Sequence, residues 1–128
     1  MRTVNLNYLN FSYNNIASLK GIEKLVNLEV LYCTYNNITS LKGIDKLTML
    51  TELYCSNNRL TSLLGIEKLK DLSLLDCASN QLPYKTNELY DILKVIKSEK
   101  RKQVISKLLN TKIISQEIMI FFVIKKYA

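Results

Sequence analysis

Apolar and polar positions recur along residues 6–83 with a constant period of 22 residues. Apolar residues fill positions 1, 4, 6, 11, 14, 17 and 20 of each complete unit, and the units begin at Leu6, Leu28, Leu50 and Leu72. Asparagine recurs at position 9 and glycine at position 16. Self-similarity at a fixed period of this length predicts a solenoid, in which each unit packs only on its neighbours.

Each unit is expected to contain one short strand and one short helical turn. In the segment LxxLxL alternate residues point to one side, which favours a strand with one buried face, and successive strands would pair in parallel. The asparagine at position 9 follows the strand, and its side-chain amide is expected to bind backbone groups of neighbouring turns, forming a ladder. Glycine at position 16 is expected to permit a tight or positive-φ bend before the helical turn.

These repeats resemble the 22-residue class of the leucine-rich-repeat family, LxxLxLxxNxIxxIxxLxxLxx, found in internalin-like bacterial proteins and in a phosphatase regulatory subunit. The resemblance covers about residues 6–83 and departs from the family pattern at Phe11, at the cysteines of position 6 and in the truncated fourth unit. It implies an α/β repeat fold, a solenoid of about four short parallel strands with short helical turns on the convex side. It also implies a scaffold that binds a protein or peptide on its concave face.

Five of the eight tyrosines fall at strand positions that would face this concave surface. Tyrosine offers a large contact area at low entropic cost and is enriched in binding hot spots, which favours an interface. Aromatic residues also favour pleated surfaces without any binding role, and stacking on nucleic-acid bases is a third alternative. The candidate partner-binding residues are Tyr8, Tyr13, Tyr32, Tyr35, Glu52, Tyr54 and Arg59.

The three cysteines, Cys33, Cys55 and Cys77, occupy position 6 of successive units. A zinc site is one interpretation, but stacked strands would place these residues in a line about 5 Å apart, and no histidine is available as a fourth ligand. Position 6 faces inward, where a free cysteine behaves as a small hydrophobe. The sequence therefore predicts core packing and no metal, and the odd number of thiols fits a reducing compartment.

The chain changes character after Pro83. Residues 1–83 hold eight Lys/Arg and seven Asp/Glu, whereas residues 84–128 hold ten and four. Thr86 is a plausible helix N-cap, and apolar residues spaced at i, i+3, i+4 and i+7 from Leu89 predict an amphipathic helix. We therefore expect a solenoid over 1–83 and a basic helical C-terminal cap with an apolar tail over 84–128.

Three features of the ends leave alternatives open. The basic residues of the tail fit a solvated helix face, or contact with nucleic acid or an acidic surface. The apolar run 118–124 could be a buried element, a self-association segment or an out-of-frame end. Only five residues precede the first unit, so a homo-oligomer formed through an uncapped N-terminal edge is a further hypothesis, as is a fragment of a longer repeat protein.

The amino-acid composition argues against several classes of function. The chain has no histidine, and it shows no glycine-rich phosphate loop, so the sequence argues against an enzyme, a small-molecule substrate and a cofactor. The repeats are nearly neutral, which favours a protein partner over nucleic acid. No apolar run reaches the roughly 20 residues that a membrane-spanning helix needs, and no signal peptide is evident, so we expect a cytoplasmic protein.

Overall fold

The computed structural model describes residues 5–84 and 88–110. Four three-residue strands form one parallel sheet in chain order: β1, Tyr8–Asn10; β2, Val30–Tyr32; β3, Glu52–Tyr54; and β4, Leu74–Asp76. Partners in neighbouring strands are 22 residues apart throughout, as in the pair Leu31 and Leu53. The 22-residue period of the sequence therefore matches the spacing of paired residues in the sheet.

A short 3-10 turn follows each of the first three strands, at Ile22–Lys24, Ile44–Lys46 and Ile66–Lys68. The glycine that precedes each turn has φ between 95° and 112°, so the predicted positive-φ bend is confirmed. These are backbone angles that residues with a Cβ rarely adopt. The described part of the chain thus has the predicted alternation of short parallel strands and short helical turns.

The apolar repeat positions form the core between the sheet and the 3-10 turns. In the second unit the seven apolar positions are at most 2% exposed: Leu28, Leu31, Cys33, Ile38, Leu41, Ile44 and Leu47. The first unit is less covered, and its Leu6 is 38% exposed. Burial of each leucine or isoleucine stabilises the fold by roughly 1.5–3 kcal/mol, so the middle repeats supply most of the hydrophobic stabilisation.

The predicted asparagine ladder is confirmed. Asn58 is buried, its Nδ2 donates to the carbonyl oxygens of Cys33, Cys55 and Ser56 at 2.9–3.2 Å, and its Oδ1 accepts from the backbone N–H of Ile38 at 3.0 Å. Asn36 and Asn80 repeat this pattern one unit earlier and one unit later. Each amide thereby joins its own turn to the turn of the preceding unit.

A helix, α1, extends over Leu89–Asn110. Its apolar residues are unequally covered: Ile92 and Ile96 are buried, whereas Val104 is 52% exposed. The chain divides into two compact units, Met1–Lys94 and Val95–Ala128, and the division falls within this helix. The domain boundary at residue 83 and the capping role stay predictions, while the Thr86 cap and the apolar run 118–124 lie outside the described residues.

Candidate functional site

Three of the five candidate tyrosines lie on the strands of the sheet, and the other two follow the ends of β1 and β2. Tyr8, Tyr32 and Tyr54 come from β1, β2 and β3 and contact one another in a row, which we call the tyrosine ladder. The rings of Tyr32 and Tyr54 are stacked, with centroids 4.1 Å apart and planes within 5° of parallel. The rings of Tyr8 and Tyr32 are 5.6 Å apart and tilted by 48°.

Parallel pairing explains the ladder. Tyr32 and Tyr54 are direct partners across β2 and β3, and neighbouring strands lie about 4.8 Å apart, which is close to the separation of stacked rings. Tyr8 is the partner of Val30 and therefore reaches Tyr32 diagonally, which accounts for the longer distance and the tilt. Aromatic pairs of this kind contribute about 0.5–1.5 kcal/mol beyond the area that they bury.

A second aromatic pair lies beyond the ends of the strands. Tyr13 and Tyr35 are stacked with centroids 4.6 Å apart, and they are 75% and 48% exposed. Both have left-handed backbones, with φ of 60° and 53°, a conformation that is strained for a bulky residue. We call these two residues the tyrosine pair.

This backbone geometry has a structural cause that the sequence analysis missed. Position 8 of each of the first three units donates its N–H to a carbonyl of the next unit, as Tyr35 does to Ser56 at 3.1 Å, and the chain reverses there, just before the asparagine at position 9. Asn57 and Ser79 occupy position 8 in the later units with φ of 55° and 54°. The signal that could have revealed this geometry is Asn57, because asparagine tolerates positive φ better than most residues.

Glu52 lies on the same face as the ladder, two residues before Tyr54 on β3. The Tyr54 hydroxyl donates a hydrogen bond to Glu52 Oε1 at 2.8 Å. This bond, with the neighbouring Tyr32, raises the pKa of the Tyr54 hydroxyl well above its ordinary value, because ionisation would set a phenolate beside a carboxylate. Tyr54 is therefore a neutral, oriented hydrogen-bond donor at physiological pH.

Arg59 is exposed, and its backbone N–H donates to Ile38 at 2.9 Å. Its guanidinium forms no ion pair with a carboxylate of the described residues. The structure thus joins four of the seven candidate residues in one cluster, Tyr8, Tyr32, Tyr54 and Glu52, and joins Tyr13 to Tyr35. It shows no bond from the Arg59 side chain to either group. The role of all seven candidate residues in binding stays a prediction.

The three cysteines are buried free thiols, with exposures of 0–2%. Burial raises the pKa of Cys33 from 9.0 to about 12, and it also raises the pKa of Cys55 and Cys77. Within the described residues no cluster of His, Cys, Asp or Glu has the arrangement of a metal site. The thiols are therefore core side chains with little thiolate at neutral pH.

We expect Cys33 and Cys55 to resist alkylation by iodoacetamide at neutral pH in the folded protein and to react completely in denaturant. Folding raises the pKa of Cys33 from 9.0 to about 12, so the unfolded thiol ionises first. The stability that this thiol contributes is retained below pH 9.0 and is lost as the pH rises toward about 12. Mass spectrometry of the alkylated protein measures the first effect. Rapid modification of either thiol without denaturant would contradict this assignment.

A groove of about 630 Å³ lies on the other side of the solenoid, between the first two units. Its lining mixes Lys20, Lys42 and Lys46 with Glu23 and Asp45. Glu23 already accepts a hydrogen bond from the backbone of Gly21, and Asp45 lies 4.0 Å from the Lys46 ammonium. The groove therefore mixes cationic and anionic side chains.

Comparison with known proteins agrees with the repeat geometry. A model described as Leucine Rich repeats (2 copies) matches residues 4–46, and a model described as Leucine Rich Repeat matches residues 49–72. The chain belongs to the leucine-rich-repeat family, whose members are typically non-enzymatic protein-interaction modules, and its repeats are internalin-like. No curated protein matches the sequence significantly.

Similar solved structures include bacterial leucine-rich-repeat proteins. The functional domain of InlJ from Listeria monocytogenes, described as including a cysteine ladder, has 40% identity and a TM-score of 0.59, over 63% of this chain and 18% of that one. A leucine-rich-repeat protein of Leptospira interrogans has 39% identity and a TM-score of 0.62, over 72% and 24%. Internalin C2 of Listeria monocytogenes, at 22% identity and a TM-score of 0.59 over 65% and 36%, shares the fold alone.

This chain therefore spans between about a fifth and a third of the length of these structures. The line of buried cysteines at position 6 is the feature that it has in common with the description of the InlJ domain. Among the described residues, no helix has both the length and the apolar character that crossing a membrane requires.

Proposed function

We propose that the chain is a protein-binding module that engages a protein or peptide through the tyrosine ladder and the tyrosine pair. The observation that carries this proposal is the pair: two exposed tyrosines are held in left-handed backbone conformations that are strained for their residue type. Strain of this kind is of order 1–3 kcal/mol, and it concentrates at binding sites. The later units use Asn57 and Ser79 at the same position, so the repeat geometry does not require tyrosine there.

The ladder supports the same proposal. Stacking restricts the rings of Tyr32 and Tyr54 before any partner arrives, so binding loses less side-chain entropy. The rings of Tyr32 and Tyr54 are half-buried, and they combine apolar faces with hydroxyl groups, the chemistry of binding hot spots. The proposal involves no catalytic step and no cofactor. It places the protein in the cytoplasm, which is consistent with three thiols that are free and buried.

The test is capture of a partner from lysate of the source cell by the wild-type protein and by the Tyr32→Ala/Tyr54→Ala variant. We expect the variant to retain at least tenfold less of the partner, because each hot-spot tyrosine is worth about 2 kcal/mol or more. Quantitative mass spectrometry measures retention, and circular dichroism checks that the variant is folded. The Tyr90→Ala variant is the matched control, since Tyr90 is a 70% exposed tyrosine on α1.

Other outcomes assign other functions. Equal retention of the same partner by wild type and the double variant would refute binding through the ladder. Salt-sensitive retention of nucleic acid, lost when residues 84–128 are removed, would favour the basic tail instead. Light scattering of the free protein at high micromolar concentration tests the homo-oligomer, and a monomeric mass would exclude self-association through the edge of β1 under those conditions.

A further inference from the structure

The tyrosine ladder ends abruptly at β4. One face of the Tyr54 ring is covered by Tyr32, which lies parallel to it at 4.1 Å. The register partner of Tyr54 on β4 is Asp76, so no further ring extends the ladder onto β4. The second face of the Tyr54 ring is consequently turned toward β4, and no other aromatic side chain of the described residues stacks on it.

Two carboxylates flank this ring. Glu52 Oε1 accepts from the Tyr54 hydroxyl at 2.8 Å, and Asp76 Oδ1 accepts from the backbone N–H of Ala78 at 3.3 Å. One oxygen of each carboxylate therefore remains for another donor. Neither Glu52 nor Asp76 forms an ion pair with a cation of residues 5–84 or 88–110. Two adjacent strands thus bring two negative charges beside one aromatic face, with no cation between them.

Leu74 lies beside these residues on β4. It is the register partner of Glu52 on β4, and it is 39% exposed. We call Glu52, Tyr54, Leu74 and Asp76 the Tyr54 corner. The corner combines a flat aromatic face, two carboxylates and an exposed aliphatic surface.

We propose, on the basis of the proposed binding function, that the Tyr54 corner receives an arginine side chain of the partner. The planar guanidinium stacks on the face of Tyr54 that is turned toward β4 and donates to the remaining oxygens of Glu52 and Asp76, while the aliphatic stem contacts Leu74. The partner is therefore a protein or peptide that presents an arginine to the sheet.

The chemistry distinguishes arginine from other occupants. An acidic segment would be repelled by the two carboxylates, and an apolar side chain would remove them from water without providing donors. Lysine supplies the charge and its ammonium can lie over a ring, as that of Lys94 does over Tyr90, but it has no planar group to stack and no planar fork of donors. Charge complementarity is local here: the chain as a whole has a net charge of +7, so overall attraction does not draw a basic segment to this face.

The experiment is a nuclear magnetic resonance titration of the full-length, isotope-labelled protein with three acetylated and amidated tripeptides, Gly-Arg-Gly, Gly-Lys-Gly and Gly-citrulline-Gly. Citrulline has nearly the shape of arginine without its charge. We expect saturable shifts of the β3 and β4 amides with the arginine probe, about tenfold weaker binding of the lysine probe, and no saturation with citrulline. Equal binding of citrulline and arginine would overturn the proposal.

The matched variant is Glu52→Gln/Asp76→Asn, which removes both charges and keeps the hydrogen-bond acceptors. Asn10 already occupies the position of Asp76 in the first unit and accepts the equivalent backbone bond from Ser12 at 2.9 Å, so this variant is expected to fold. It should weaken the arginine probe at least tenfold, and Tyr54→Ala should do the same. Unchanged binding in the charge variant would overturn the proposal. Concentration-dependent shifts without any probe, with a dimer mass in light scattering, would identify a second copy as the occupant and also overturn it.

The two proposals fail separately. A partner lost from the Tyr32→Ala/Tyr54→Ala variant but retained by Glu52→Gln/Asp76→Asn would support the binding function and refute the arginine. A partner retained by both variants would refute binding through the tyrosine ladder, whatever the peptides do.

Discussion

Replacing Asn58 by alanine is expected to lower the free energy of unfolding by about 3–5 kcal/mol. The side chain makes four hydrogen bonds, three as donor and one as acceptor. The carbonyls of Cys33 and Cys55 would each keep another asparagine donor, Asn36 and Asn80 respectively. The N–H of Ile38, a residue that is 0% exposed, would lose its side-chain acceptor, and a buried donor without a partner costs about 1–3 kcal/mol.

Asn14 provides a matched control, because it occupies the same repeat position at the exposed end of the ladder. It donates to the carbonyls of Phe11 and Ser12, and water can replace these bonds. We expect Asn14→Ala to lower the free energy of unfolding by about 1 kcal/mol or less. Urea unfolding followed by circular dichroism measures both variants. Similar losses for the two positions would show that the ladder does not depend on burial.

The difference between the two asparagines also shows how far the sequence could be used to predict this fold. The repeat pattern predicted the short strands, their parallel stacking, the short helical turns and the asparagine ladder, because every unit must meet the same steric and hydrogen-bonding demands. The pattern could not show how differently Asn14 and Asn58 are buried, since both are the asparagine at position 9 of their unit. Burial depends on how many neighbours cover a unit, and that is a property of the assembled solenoid.

The candidate site was predictable in location but not in organisation. Alternation along the strands placed Tyr32 and Tyr54 on one face, and the register then made them neighbours. Their stacking depends on side-chain rotamers, and the left-handed backbone of Tyr35 belongs to a reversal of the chain that occurs at position 8 of every unit. Asp76 was not among the candidate residues, because its significance comes from its place at the end of the stack, across from Tyr54.

Replacing Gly65 by alanine is expected to lower the free energy of unfolding by about 2–4 kcal/mol, whereas Gly21→Ala should cost about 1–2 kcal/mol. Both glycines have positive φ, 112° and 95°, so both variants pay the backbone strain. A Cβ at Gly65 would also lie 2.8 Å from Cγ2 of Ile44, which is 0% exposed, whereas a Cβ at Gly21 would have nothing within 4 Å.

Gly43 is intermediate, since its Cβ would lie 3.1 Å from Cγ2 of Ile22, a residue that is 6% exposed. Urea unfolding of the three alanine variants should therefore give the order Gly65, Gly43, Gly21, from most to least destabilised. Equal losses would mean that backbone strain alone explains the periodic glycine. The predicted order would instead mean that the glycine has a second role, which is to let the 3-10 turn of one unit approach the isoleucine of the preceding unit. In that case, the spacing of the convex side is set by the absence of a single methyl group in each repeat.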